Sequence, residues 1–272
     1  MDLASVIEMK TDKILLCVSD LDRISEYKKL GISNFLFPLK KYCVGYNDFS
    51  FDEIKNIDGN VYILMNRLLT DNDIDDFITL DIPSNVNGFV VEDIGLLEVI
   101  DKKYKIINFE NHLNNNYETI NIMLRDFDSL VISSDITKEE ITAILERCNK
   151  PLVLNTFGKQ MVMYSRRYLV SNYLKHYDKN IEYSISIEEK VFKNKFDLVE
   201  NDYGTAVFNH EYTDYRNLVD EIDDSKILFY LIDTNFLQPN SFKDVLDKKV
   251  ISNTTEGFLN KKTIYKVGEK ND

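Results

Sequence analysis

Ser165, Arg166 and Arg167 stand together in FGKQMVMYSRRYLVSNYLKHY (157–177), where an apolar, strand-like run gives way to an amphipathic helical pattern. A guanidinium fork holds a carboxylate or a phosphate through parallel N–H bonds, so the chemistry on offer is anion recognition. With Ser165 as a helix cap, Arg166 and Arg167 fall in the first helical turn, where cations oppose the helix dipole. Stability alone does not favour that placement. A ligand anion and a buried ion pair explain it equally. Adjacent helical residues point about 100° apart, so one arginine is expected to turn inward. Arg167, which precedes the apolar Leu169 and Val170, is assigned that role.

The other candidates follow apolar runs. They are Ser19 and Asp20, Pro38 and Lys40, Asn66 and Arg67, Glu92 and Asp93, Asn108, Glu110 and His112, Ser134 and Asp135, Asn155, and Asp233. The set is rich in carboxylates and amides, with three basic side chains able to neutralise them. His112 could act as a general base or simply as a hydrogen-bonding loop residue. Asn66 and Asp93 join it, with Ser165, Arg166 and Arg167, as the expected ligand- or anion-binding residues. No catalytic residue is assigned. The sequence has no Gly-rich phosphate loop, HExxH or GxSxG. Asp71, Asp73, Asp75 and Asp76 lack the glycine and closing glutamate of a calcium loop, and read better as an acidic helix start.

Eight apolar runs must position these groups: 13–19, 34–39, 60–66, 86–93, 104–110, 129–135, 151–157 and 226–233. Each reads as a buried strand ending in polar residues. Helical patterns lie between most of them, with Gly31 at one stop and Thr70 and Thr137 at two starts. The alternation predicts an α/β fold, a TIM-like (β/α)8 barrel with some distortion, whose site lies at the carboxyl ends of its strands. Residues 178–225 alternate like antiparallel strands and predict a β-rich insertion between the seventh and eighth units. The expected organisation is a barrel over 1–240 carrying this insertion, then an extension over 241–272 with a closing helix.

The 272 residues suffice for one large core, and with 4 prolines and 9 glycines no linker-like segment interrupts them. A formal net charge of −13 disfavours bare phosphate backbone, so DNA is not an expected partner. Cys17, Cys43 and Cys148 form no CxxC pair, which suggests neither a disulfide framework nor a self-contained metal site and fits a reducing cytoplasm. No run has the length of a membrane span, and MDLASVIEMKTDK lacks the pattern of an export signal. A membrane partner is not expected.

The stretch from Phe157 to Tyr177 resembles the central motif of the peptidase U32 family: a strand ending in Gly, a short apolar segment, Ser, Arg, and then an LV.NY-like helix. VYILMNRLLTDNDIDDF, VNGFVVEDIGLLEVI and DLVENDYGTAVFN resemble three further blocks of that family in order and spacing, so the likeness runs over about residues 13–235. The family's retained arginine aligns with Arg167. Cluster-bearing relatives carry cysteines in and after the motif, whereas Met161 and Tyr168 stand at such positions here and no cysteine follows Cys148. A four-thiolate iron–sulfur cluster cannot be assembled from what remains. Anaerobic purification is expected to yield a chain without stoichiometric iron and sulfide; near-equimolar amounts of both would refute this. Val153 replaces a glutamate found in many relatives, and Ser134-Asp135 replaces an Arg-Glu pair.

What remains resembles the short, cysteine-poor paralogue of low-GC bacteria that accompanies a longer one. The resemblance implies a part in tRNA wobble-uridine hydroxylation, with a prephenate-like carboxylate as ligand, the longer paralogue as partner, and tRNA reached through that partner. No cofactor is expected on this chain. Other branches act in ubiquinone or ribosomal RNA hydroxylation, and the older family label implies a peptidase or collagenase. A scaffold that has lost its chemistry is a third reading.

Overall fold

The apolar runs form strands that are buried along most of their length in the computed structural model, which describes residues 9–109, 112–180 and 182–262. Eight of them run parallel: β1 (Ile14–Cys17), β2 (Asn34–Pro38), β3 (Asn60–Met65), β4 (Val86–Val91), β5 (Lys105–Asn108), β6 (Ser129–Leu130), β7 (Leu152–Gly158) and, after the segments described below, β13 (Ile227–Asp233). Their order in the sheet is β7-β13-β1-β2-β3-β4-β5-β6. Side chains alternate between two apolar layers. Ile14, Leu16, Phe35, Ile63, Phe89 and Ile232 pack in the larger layer, whereas Leu15, Cys17, Leu36, Leu64, Val90 and Leu231 pack together in the other. Such double burial is what a curled parallel sheet with helices outside it requires.

The hydrogen-bond ladder is open between β6 and β7. An isolated bridge from Val131 to Val153 and the Ile132 N–H to the Val153 carbonyl (2.9 Å) cross that boundary. The reason lies on β7's free edge. Strand β12 (Tyr212–Asp214) pairs antiparallel with Phe157 and Gly158 and is itself joined by β14 (Thr254–Thr255). The fold is thus α/β with a large curled, open parallel sheet; the expected regular eightfold barrel ladder is interrupted where β12 takes the edge that β6 would extend along.

The helices are short: α1 (Ile24–Lys29), α2 (Phe51–Ile54), α3 (Asp71–Ile78), α4 (Tyr117–Met123), α5 (Lys138–Arg147), α6 (Leu169–His176) and α7 (Phe242–Leu246). Thr70 and Thr137 form reciprocal capping boxes with Asp73 and Glu140. Asp73 is therefore engaged as a helix-start acceptor. Between β4 and β5 there is only a 3-10 segment, Ile94–Glu98, in place of an α-helix. Among the described residues no helix is long and apolar enough to cross a membrane.

The β-rich segment is a four-stranded antiparallel sheet that begins earlier than the alternation at 178 suggests. Its strands are β8 (Met161–Ser165), β9 (Ser184–Glu188), β10 (Lys195–Asn201) and β11 (Gly204–Asn209), in the order β8-β11-β10-β9. Helix α6 covers one face through Val170 and Leu174 against Leu198 and Val207. Strand β8 carries the first half of the Phe157–Tyr177 motif out of the parallel sheet and into this smaller one.

Candidate functional site

Two-residue periodicity on the inner face explains which polar groups meet at the carboxyl ends of the strands. Glu92 continues the face of Val90, and Asp233 that of Leu231, while Asn155 follows Val153 in the same way. Glu92, Asn155, Asp233 and Cys17 line a cavity of about 240 Å³, whose apolar floor includes Leu36, Leu64 and Leu231. Residues 159–164, entering and forming β8, supply one wall.

Asp233 is buried, and its Oδ1 accepts the Asn235 N–H at 2.7 Å. Its Oδ2 has no hydrogen-bond partner among the described residues. Burial raises its pKa to about 7, against the lowering effects of Asn235 and the Cys17 thiol. Gly158 packs on the Asp233 Cβ and backbone from the neighbouring strand: its φ is +151°, and an added Cβ would lie 2.6 Å from Asp233 Cβ. A side chain at 158 would displace the aspartate. Glu92 is also raised to about 7, first by burial and then by the charge of Asp93, and its Oε2 has no partner among the described residues. Two carboxyls on strands four places apart in the sheet therefore share a cavity, each able to hold or release a proton near neutrality.

The wall carries its own buried ion pair. Lys159 Nζ meets the Asp197 carboxylate, with Tyr212 and Phe236 rings 5.2 and 4.9 Å from the ammonium. Asp197 also interacts with His210 Nδ1 (3.0 Å) and accepts from Ser186 Oγ. Burial works against its ionisation, but these partners prevail and hold its pKa below the ordinary range.

The expected site residues separate widely in role. His112 lines the cavity, with 85% of its side chain exposed, and its Nδ1 lies 2.9 Å from Asp135 Oδ2; Gln160 Nε2 donates to the other oxygen at 3.1 Å. Asn66 is fully buried and pins Val44, accepting its N–H at 3.0 Å and donating to its carbonyl at 3.1 Å. Asp93 accepts from Leu69 and Gly95 N–H groups at 2.8 and 2.9 Å. These contacts explain Asn66 and Asp93 as organisers of loops beside the cavity. Glu110 lies outside the described residues.

Ser165, Arg166 and Arg167 require correction in their local structure. Helix α6 starts only at Leu169, so both arginines precede it and both are exposed. Ser165 Oγ accepts the Arg167 N–H at 3.3 Å within the turn. The inward place assigned to Arg167 is taken by Glu200, which accepts the Val170 and Ser171 N–H groups at 2.8 and 3.1 Å. Thr205 completes that cap by accepting the Leu169 N–H at 3.0 Å. The helix end is satisfied by a carboxylate from β10.

The three thiols are buried, and burial raises all of them: Cys17 well above its ordinary value, Cys43 to about 12 and Cys148 to about 11. Cys17 and Cys43 lie in the inner layer, whereas Cys148 ends α5 in the other. Met161 is in the cavity wall and Tyr168 is exposed. This arrangement does not fit a four-thiolate cluster. Among the described residues no group of three or more His, Cys, Asp or Glu side chains is disposed to hold a metal ion.

The profile of peptidase family U32 matches residues 49–262. Among solved structures, that of the U32 peptidase Mk0906 is 15% identical, with alignment over 54% of this chain and 70% of that chain and a TM-score of 0.44. No curated protein matches.

Proposed function

The chain belongs to peptidase family U32, and we propose that it is a cluster-free, ligand-binding component of a cytoplasmic system that hydroxylates the wobble uridine of tRNA, acting with a longer paralogue. The family motifs suggest the pathway, and we read the curled sheet as a distorted (β/α)8 barrel serving it. The observation that favours a ligand-binding role is the pair Glu92 and Asp233, two carboxyls lining one small cavity, each with an oxygen that lacks a hydrogen-bond partner among the described residues and each pushed up to about 7 by burial. A neutral carboxyl donates a hydrogen bond to a ligand carboxylate without opposing it by charge. The cavity thus suits a prephenate-like acid, with apolar contacts from Leu36, Leu64 and Leu231 for its carbon skeleton. An independent peptidase is less supported. The buried thiols are held protonated, and Ser186 and His210 both bond to Asp197, leaving that serine outside a nucleophile–base pair.

The decisive test is complementation of a strain lacking this gene. Wild type is expected to restore hydroxylated wobble uridine, measured by nucleoside mass spectrometry, and a Glu92→Gln/Asp233→Asn double variant to lower it by about tenfold or more while remaining folded. Purified protein should leave gelatin and casein intact. Full modification in the gene-deleted strain would refute the pathway, and proteolysis abolished by the double variant would establish the peptidase reading. A prephenate-like acid is also expected to stabilise the protein more at pH 6 than at pH 8, because ionisation of Glu92 and Asp233 places anions against anions.

A further inference from the structure

The cations beside the motif differ from many others on this acidic chain. Between Ser165 and Lys179, Arg166, Arg167, Lys175 and Lys179 face a single acidic residue, Asp178, a local balance of +3 within a chain of −13. All four are exposed, and none has an ion-pair partner among the described residues. Several cations elsewhere on the surface are matched, as Arg23 is with Glu26, Lys28 with Asp58, and Lys138 with Glu221, so what sets this patch apart is the gathering of four unpaired cations within one short segment. The charge at this patch is left available.

Aromatic faces accompany it. Tyr168, Tyr173 and Tyr177 are 47, 49 and 58% exposed. The Tyr173 and Tyr177 rings lie 4.8 Å apart, His176 packs edge-on against Tyr177, and Lys179 lies 5.9 Å from the Tyr173 centroid. Helix α6 can present these groups because Val170 and Leu174 anchor its other face and Glu200 satisfies its amino end. Glu200 also means that the patch does not depend on free helix N–H groups.

Unpaired cations among exposed rings complement a polyanion whose flat bases are accessible. A duplex hides those faces, and the negative remainder of the protein opposes a long phosphate surface. A membrane is a poorer match, because the apolar face an interfacial helix would bury in lipid is already covered by Leu198 and Val207. We propose that Ser165–Lys179 is a docking surface for single-stranded RNA, with Arg166, Arg167 and Lys175 holding phosphates while Tyr173 and Tyr177 stack on unpaired bases. The inference rests on the RNA-directed reading above, and gives this chain RNA-binding charge of its own. Strand β8 connects the surface to the cavity: Tyr164 lines it, and Arg166 follows two residues later.

Fluorescence anisotropy on the full chain tests this with labelled oligouridine RNA, a matched RNA duplex and vesicles containing phosphatidylserine. Oligouridine is expected to bind best, with affinity falling as salt rises. Arg166→Ser/Arg167→Ser should flatten the log–log salt dependence by about 0.7 for each phosphate that is no longer neutralised. Tyr173→Ala/Tyr177→Ala should weaken binding by about tenfold or more while leaving that slope unchanged. Circular dichroism is expected to show the wild-type fold in both double variants, whose altered side chains are exposed. Absence of oligouridine binding, wild-type binding by both folded variants, or preference for the duplex or vesicles would overturn the proposal. RNA binding with these variant effects in a protein whose gene is dispensable for wobble-uridine hydroxylation would refute the pathway and retain the surface; dependence of hydroxylation on the gene without RNA binding would do the reverse.

Discussion

At pH 8 the Asp233→Asn variant is expected to be more stable than the wild type by up to roughly 4 kcal/mol, the free-energy equivalent of moving a carboxyl from an ordinary pKa to about 7. The sign follows from proton occupancy. Below the ordinary value of 3.8, both native and unfolded chains carry the proton. Between there and about 7 the native protein retains a proton that the unfolded chain releases, so wild-type stability falls as pH rises. Above about 7 the loss is complete. Asparagine removes the ionisation and keeps an acceptor for the Asn235 N–H. In a protein of this size the gain corresponds to a melting temperature roughly 10 °C higher at pH 8, shrinking towards zero near pH 4. Thermal melts across that range check it. A variant no more stable than wild type at pH 8 would show that Asp233 does not carry this cost. Raised stability with lost wobble-uridine hydroxylation would separate the carboxyl's function from its structural effect.

Lys159→Met is expected to act in the opposite direction, destabilising the protein by about 3 to 5 kcal/mol at pH 8. Lys159 and Asp197 are both more than nine-tenths buried, so methionine leaves a buried carboxylate without its principal cation. Ser186 and His210 remain in contact with it. Burial opposes the Asp197 carboxylate and Lys159 helps to hold its pKa low, so without the lysine the carboxylate takes up a proton more readily as pH falls and its stranded charge is removed. The penalty should therefore shrink on acidification. Adding Asp197→Asn to Lys159→Met should recover much of the pH 8 stability, because the stranded charge is removed. Denaturant melts of the two single variants and the double variant provide the measurement. A Lys159→Met penalty unaffected by Asp197→Asn would assign the loss to packing against Tyr212 and Phe236 instead.

These effects show why the sequence is informative about strands and less so about the site. Runs such as ILLC and NFLFP are apolar at consecutive positions because curled-sheet strands bury both faces, and that signal is local. The same two-residue step carries Glu92 and Asp233 into the cavity, and both are legible as polar residues at strand ends. Their raised proton affinity depends on burial by other strands. The helix cap after β8 is a longer-range failure of local reading: Ser165 has the right residue type, but Glu200 supplies the carboxylate from thirty residues beyond Val170. Lys159 likewise has no local sign of Asp197. Met161–Ser165 looks like a continuation of the apolar β7 run, yet its hydrogen bonds go to β11. The interruption of the barrel ladder is similarly set by β12, which reaches β7 only after the insertion has been traversed.

Strand order has a consequence for the nascent chain. On the ribosome, β1 can pair early with β2, but its other neighbour is β13, with Cys17 opposite Asp233. The first six parallel strands are thus synthesised long before the strand that joins β1 to β7. Until then β1 presents an apolar, unpaired edge to other chains, a recognised route to aggregation. Late arrival of that partner also gives the pairing high contact order and a slow approach to the native sheet. Productive biogenesis should consequently depend on protection of the β1 edge until residues 227–233 emerge.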